Sequence, residues 1–305
     1  MATRGQQGVG ERDTLHGIIM PARLDVAQLA ILKLKLAKFK TLAESLDKRF
    51  SESLLTVTLG FGAQALRVLS DVGAPPALSH LSWPPQVTAQ LTLEASDLVL
   101  LIRSDRYDSC FVAARALATW LANNVEFSHS FRVFHYLDHR NLYGFKCWQD
   151  KVVGPARQQL LFIDNEQQPA WHHGSFLVMQ YNRIDEQGWQ KLGEKAQEQL
   201  VGLGKLDGTP LAAAVTRTHA AIIRQGLGTA LTWQQLPVAD IREQAHLELL
   251  WSHDLTAITS WLTNRFDDTE GSPQDPLLAY ENNQMTAAFF IPPLVWFEQL
   301  APPSR

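Results

Sequence analysis

Two halves of the chain carry the same order of predicted elements, with residues 138–155 between them. In the first half, runs of alternating or continuous apolar residues predict strands over residues 27–37, 54–59, 97–102 and 131–137. Apolar residues recurring every three or four positions predict helices over residues 39–50, 63–69 and 107–123. Strands and helices therefore alternate, as in a ferredoxin-like unit.

The second half repeats this order more loosely. Strands are predicted over residues 174–183, 246–251 and 287–293, and helices over residues 186–200 and 255–266. Residues 201–238 are predicted to be irregular, with a helix over residues 212–224. The repetition predicts an α+β fold of two ferredoxin-like domains, each with an antiparallel four-stranded sheet and peripheral helices. The predicted divisions are a flexible N-terminal arm (1–15) and domains at 16–150 and 151–305.

Composition excludes several classes of protein. The chain is 46% hydrophobic and 19% charged, which is typical of a globular protein. A net charge of −4 argues against a nucleic acid or an anionic membrane as partner. No run reaches the ~18 apolar residues of a membrane span, and two cysteines cannot build a disulfide framework. A cytoplasmic protein is predicted.

Three motifs occur in a suggestive order. Arg140, Leu142, Gly144 and Phe145 lie in the central segment, followed by Gly174-Ser175-Phe176 and by Phe289-Phe290-Ile291-Pro292-Pro293 near the end. In order and spacing the chain resembles the dye-decolourising haem peroxidases. The resemblance implies haem b between the two domains, a peroxide or small-molecule reductant as partner, and a homo-oligomer, dimeric or larger.

The resemblance also assigns positions around the haem. His219 matches the iron ligand, and the resemblance implies that Arg224 and Phe290 contact the cofactor. The family's distal Arg lies fourteen positions after the ligand, where this chain has Trp233. A rival alignment places Arg224 at the distal Arg and ranks second, because it leaves no His upstream at the right distance. Cys147 stands at the family's distal Asp, and the next residue, Trp148, replaces a Gly.

These replacements change the expected chemistry. Peroxide cleavage needs a general base and a group that stabilises the developing charge. A Cys with a pKa of about 8.5 is a poor base at neutral pH, and Trp233 offers one N–H donor without charge. The indoles of Trp148 and Trp233 could also fill the peroxide side of the pocket, or the haem slot itself.

The remaining candidates are less specific. A proximal His needs an acceptor for its second ring nitrogen, and the candidates are Asp254, Glu248 and Asp275. Other polar or reactive residues have a structural alternative: Arg217 and Arg224 could meet haem propionates or lie in solvent, the pair His172-His173 is expected to be exposed, and Cys110 to be buried and inert.

Two functions follow from these residues. The first is a haem protein that binds iron through His219 and shows weak peroxidase activity or uses haem otherwise. The alternative is a haem-free pseudoenzyme that serves as an oligomeric or protein-interaction scaffold. A third hypothesis, an enzyme with Cys147 as nucleophile, has the least support because no motif places a His base beside it.

Overall fold

The computed structural model of the chain describes residues 5–11, 14–147, 151–165, 169–211, 217–268 and 274–301. Strands in these residues follow the order of two ferredoxin-like units. They are β1 (His16–Leu24), β2 (Thr56–Phe61), β3 (Leu98–Ser104), β4 (Val125–Phe127), β5 (Phe131–Phe134), β6 (Ser175–Ile184), β7 (Thr232–Ala239), β8 (Gln244–Ser252) and β9 (Glu281–Ile291).

Sheet order is the same in both halves. The first half runs β4-β1-β3-β2, and β5 pairs with the other end of β1, so β4 and β5 share one edge. The second half runs β9-β6-β8-β7. Each half therefore has its first and third strands at the centre and pairs its neighbours antiparallel. This arrangement confirms the predicted fold class.

Helices cover one face of each sheet. Within the described residues they are α1 (Leu29–Leu36), α2 (Phe39–Arg49), α3 (Ala63–Leu69), α4 (Pro76–Ser79), α5 (Pro85–Thr88), α6 (Tyr107–Leu121), α7 (Gly154–Leu161), α8 (Glu186–Gln190), α9 (Glu194–Val201), α10 (His219–Ile223), α11 (Leu255–Phe266) and α12 (Leu294–Glu298). In the described part of the chain, no helix is both long and apolar enough to cross a membrane.

Strand alternation divides the apolar residues between two cores. In β3, Leu100 faces the helices whereas Val99 and Leu101 face the opposite way. In β6, Leu177 and Met179 join Val99 and Leu101 in the second core. Because successive strand side chains point to opposite faces, the helix-free faces of the two sheets pack against each other. The two halves therefore share one of their cores.

The halves also meet at a sheet edge. Phe61 of β2 pairs with Phe290 of β9, which joins the two sheets into one. Residues near the N terminus lie over this junction, where the Gln6 amide bonds to Leu59 and to the carbonyl oxygen of Pro292. The junction therefore connects three distant parts of the chain.

One predicted strand is wrong. The segment predicted as a strand over residues 27–37 is helical. It contains the end of a 3-10 helix (Val26–Gln28) followed by α1, and the first strand is β1. The alternating Leu and Lys residues gave the strand pattern, but Leu32 and Leu36 are the buried positions. They are four residues apart, which places them on one face of a helix.

The segment before β8 is more ordered than expected. Residues 232–238, predicted to be irregular, belong to β7, and the predicted helix over residues 186–200 is divided into α8 and α9. Of the predicted helix over residues 212–224, the described part forms α10, whereas residues 212–216 lie outside the described residues. Thr218 begins α10, since its side chain accepts from the Ala221 N–H.

Candidate functional site

A cavity of about 190 Å³ lies between α10 and β7 in the second half. Helix α10 contributes His219 and Ile223, and β7 contributes Trp233 and Gln235. The loop after β5 adds Cys147 to the wall. The structure thus brings together His219, Trp233 and Cys147, which are 86 positions apart at most in the sequence.

His219 is held by a carboxylate. Its side chain is buried, with 3% of the residue exposed, and Nδ1 lies 2.8 Å from Asp275 Oδ2. An ionised carboxylate only accepts, so Nδ1 carries the proton of this hydrogen bond and Nε2 is the ring nitrogen without a contact to Asp275. Of the three acceptors considered from the sequence, Asp275 is the one at this position. Asp254 instead caps α11 by accepting from the Thr256 N–H.

Asp275 is shared with a buried arginine that sequence reasoning missed. Arg265 donates from Nε to Asp275 (2.8 Å), from Nη1 to Glu248 (2.9 Å) and from Nη2 to Glu281 (2.7 Å). One signal was available, because Arg265 lies in the stripe of buried residues along α11. Its partners could not be read from the sequence, since they come from three separate segments.

The charges of this cluster shift its pKa values. Burial alone would raise the pKa of Asp275, but the neighbouring His219 and Arg265 outweigh it and hold that pKa well below its usual value. Burial raises the pKa of Glu281 to about 8, against the opposing effect of Arg265. The pKa of Glu281 therefore shifts in the opposite direction to that of Asp275, although both groups contact Arg265.

A chain of hydrogen bonds connects this cluster to the other wall of the cavity. Gln235 donates to Glu248 (3.2 Å) and accepts from Asn141 (3.0 Å). The backbone N–H of Leu142 donates to His246 Nε2 at 3.0 Å. The loop that carries Cys147 is therefore fixed by polar contacts to β7 and β8.

Trp233 lies next to His219, and both line the cavity. Only 6% of Trp233 is exposed, and its ring centre lies 6.0 Å from the imidazole centre, with the rings inclined at 67°. On its other side it packs near Trp261, at 5.8 Å between centres. Its indole N–H has no hydrogen-bond partner among the described residues. Apolar packing, rather than a polar contact, therefore keeps Trp233 in place.

Cys147 brings a neutral thiol to the wall. Burial raises the pKa of this thiol to about 12. It is therefore protonated at neutral pH, by a wider margin than its residue type alone implies. Trp148, the second indole considered from the sequence, lies outside the described residues.

The remaining sequence candidates lie in different places. Arg224 ends α10 and lines the cavity. Phe290 lies in the helix-side core between Trp171 and Phe176, at 5.3 and 5.4 Å between ring centres, and is not among the cavity-lining residues. Arg217 donates to the Asn264 carbonyl oxygen.

Three further candidates from the sequence, His172, His173 and Cys110, are not among the residues that line the cavity. The rings of His172 and His173 are tilted by 36°, with 3.9 Å between their centres. Both residues are half-buried, so the expectation that they are exposed is wrong. Within the described residues, no group of three potential ligands could hold a metal ion. Cys110 is fully buried in α6, as expected from the sequence.

Both halves match the family suggested by the motifs. The family models for "Dyp-type peroxidase, N-terminal" and "Dyp-type peroxidase, C-terminal" match residues 24–134 and 138–296. The protein has two ferredoxin-like units, and the second unit bears the cavity that contains His219. The chain belongs to the Dyp-type peroxidase family.

Relatives in this family are distant in sequence. A dye-decolorizing peroxidase of Mycobacterium tuberculosis is 24% identical over 278 residues, covering 88% of this chain and 82% of that protein. One from Rhodococcus erythropolis is 22% identical, covering 84% of this chain and 77% of that protein.

Solved structures agree in fold. The encapsulated DyP-type peroxidase of Mycobacterium smegmatis has a TM-score of 0.89 at 20% identity, covering 99% of this chain and all of that one. A dye-decolorizing peroxidase of Bacteroides thetaiotaomicron has a TM-score of 0.87 at 22% identity, covering 98% and 99% of the two chains. A haem-bound DypB variant of Rhodococcus jostii has a TM-score of 0.84 at 19% identity, covering 98% and 100%.

Proposed function

We propose that this protein is a haem-free pseudoenzyme of the Dyp-type peroxidase family. It would oxidise substrates with peroxide far more slowly than an active peroxidase does. The observation that carries the proposal is the pair of residues that line the cavity together with His219. A protonated thiol at Cys147 and an uncharged indole at Trp233 stand where the resemblance expects a base and a cation.

Neither side chain can replace the group it stands for. A general base works best with a pKa near the operating pH, whereas the Cys147 thiol has a pKa of about 12. The Trp233 indole carries no charge to stabilise a leaving oxygen. Each missing function typically lowers the rate by roughly 10²–10³-fold.

The side of the cavity that bears His219 suits haem. Nδ1 is hydrogen-bonded to Asp275, which fixes the ring in one orientation and leaves Nε2 as the nitrogen that could ligate a metal. When bound in this family, haem supplies the redox chemistry. His219 would ligate the iron, and Asp275 would orient its imidazole.

The space between the walls does not suit haem. An imidazole bonded to a metal keeps its ring centre about 3 Å from that metal, and an indole beyond a flat macrocycle needs about 3.5 Å more. Ring centres on the two sides would then be at least about 6.5 Å apart, whereas those of His219 and Trp233 are 6.0 Å apart. The 190 Å³ cavity is also below the ~300–1,000 Å³ typical of ligand pockets. The residues present do not fit the cofactor as they lie.

The alternative, a haem protein that uses His219, is favoured by the His219–Asp275 contact alone. Absorption spectroscopy separates the two functions. The protein is produced with haemin supplied, and its Soret band is recorded before and after desalting. A retained band that His219→Ala removes would support the alternative and contradict the haem-free proposal.

Turnover tests the loss of peroxide chemistry. With peroxide and a dye, we expect a rate at least ~10²-fold below that of the Mycobacterium tuberculosis relative assayed alongside. A comparable rate that is lost in Cys147→Ser or His219→Ala would overturn the proposal.

A homo-oligomer is part of the scaffold proposal, and light scattering coupled to gel filtration measures it. Cytoplasmic localisation stays a prediction.

A further inference from the structure

Among the described residues, Trp233 stands in the cavity between α10 and β7 beside a histidine that is already oriented by a carboxylate. We propose that Trp233 obstructs a latent haem site, so that shortening this residue lets His219 ligate haem. This inference rests on the haem-free function proposed above and names the residue responsible for it.

The prepared wall does not depend on Trp233. His219 is oriented by Asp275, and Asp275 is fixed in turn by Arg265 at 2.8 Å. These three residues come from α10, α11 and the segment before β9, and the hydrogen bonds between them do not involve Trp233. Shortening the indole removes its ring contact with the imidazole but leaves the hydrogen bonds that orient His219 in place.

Trp233 obstructs the site in two ways. Its ring lies a few tenths of an ångström too close to His219, and it occupies volume that haem would need. The 6.0 Å between the His219 and Trp233 ring centres is less than the ~6.5 Å that an intervening macrocycle needs. Trp233 lies on β7, whose backbone is fixed along its length by pairing with β8. The strand cannot retreat without breaking that pairing, so the side chain has to be shortened.

Trp233 is also held without any polar contact. Its indole N–H is buried and has no partner among the described residues, and the ring packs against the apolar cluster that includes Ile223 and Trp261. A smaller apolar residue would leave no additional buried polar group unsatisfied. The ring volume it removes adjoins the cavity and would be added to it.

The test compares variants by haem binding rather than by activity. Trp233→Ala, with Trp233→Val as a second variant that suits a strand, is titrated with haemin and desalted. We expect a retained Soret band in at least one of these variants and none in the unchanged protein. The double variant His219→Ala/Trp233→Ala should lose the band, because the ligand is gone.

Trp171→Ala is the matched control. Trp171 is 5% exposed, compared with 6% for Trp233, but it packs against Phe290 outside the cavity. Circular dichroism verifies that each variant is folded. Equal haem retention in the Trp171 and Trp233 variants, or a band that survives loss of His219, would overturn the inference.

Failure of this inference differs from failure of the proposed function. If the unchanged protein retains haem through His219, the haem-free function is wrong and Trp233 closes nothing. If the unchanged protein lacks haem and the folded Trp233 variants lack it too, the haem-free function stands and Trp233 is not the closing residue.

Discussion

Arg265 organises the interior of the second half through single contacts to three carboxylates. A buried cation is tolerated only when its partners compensate for lost hydration. Here each arm of the guanidinium has an acidic partner, at 2.7–2.9 Å. The imidazole of His219 is therefore positioned by a carboxylate that is itself fixed by Arg265.

Cys147 should be unreactive in the folded protein. Its pKa of about 12 leaves very little thiolate at pH 8, whereas an ordinary thiol with a pKa of about 8.5 is partly ionised. In a Cys110→Ser background, we expect iodoacetamide to label Cys147 about 10³-fold more slowly than the same chain in guanidinium. Mass spectrometry measures the labelling. Rapid labelling of the native chain would show that the thiol is not kept protonated by its surroundings.

His246 should make stability depend on pH. Burial, helped by the charges of Arg265 and His219, lowers the pKa of His246 to about 3. Below pH 6.5 the unfolded chain binds a proton here that the folded chain does not, so the free energy of unfolding falls as pH falls. The expected slope is about 1.4 kcal/mol per pH unit from this residue.

The contribution of His246 has to be measured as a difference in unfolding free energy between the unchanged protein and a variant. Glu281 acts in the opposite direction between about pH 4.5 and 8, because its raised pKa favours the folded state at the lower pH. Urea unfolding of the unchanged protein and of His246→Gln, which keeps an acceptor for the Leu142 N–H, isolates the histidine. Parallel curves from pH 4.5 to 6.5 would contradict the shifted pKa.

At the scale of elements, the N-terminal segment completes a sheet junction. The Gln6 side chain accepts from the Leu59 N–H at 2.8 Å and donates to the Leu59 carbonyl oxygen at 2.9 Å. It also donates to the Pro292 carbonyl oxygen at 2.9 Å. A side-chain amide thus pairs with β2 as a neighbouring strand would, next to the place where β2 meets β9.

Shortening Gln6 should weaken the fold. Gln6→Ala leaves the buried N–H and carbonyl groups of Leu59 without this partner, and we expect a loss of about 1–3 kcal/mol in the free energy of unfolding. Urea unfolding measures the loss. The adjacent Gln7 is exposed, so Gln7→Ala is the matched control, with an expected change within about 0.5 kcal/mol. Equal effects of the two substitutions would mean that the Gln6 contacts contribute nothing specific.

At the scale of the whole molecule, the core between the sheets belongs to both halves. Val99 and Leu101 from one half share it with Leu177 and Met179 from the other. Burial of such apolar surface is the main stabilising term in folding. Either half alone would expose one face of its sheet.

The first half should therefore not fold independently. We expect residues 1–150, the first predicted domain with its arm, to bind the dye ANS and to melt without a cooperative transition. The full chain should melt in one transition, followed by circular dichroism. A monomeric fragment with a sharp melting transition and no ANS binding would contradict this expectation and support two independent domains.

Much of the fold was predictable because its signals are local. Apolar alternation and three- to four-residue spacing identified most strands and helices, and their repeated order indicated two ferredoxin-like units. The alternating Leu and Lys residues before α2 misled, since the same letters suit a strand and a helix with Leu32 and Leu36 buried. Only packing against the rest of the fold decided between them.

The candidate site was also predictable only in part. Spacing along the chain was sufficient to select His219, Cys147 and Trp233, because a family's motif order is a property of the sequence. The Arg265 cluster and the 6.0 Å between Trp233 and His219 were decided by the tertiary structure. Both depend on how closely a helix and a strand approach each other, and packing across the whole second half sets that distance.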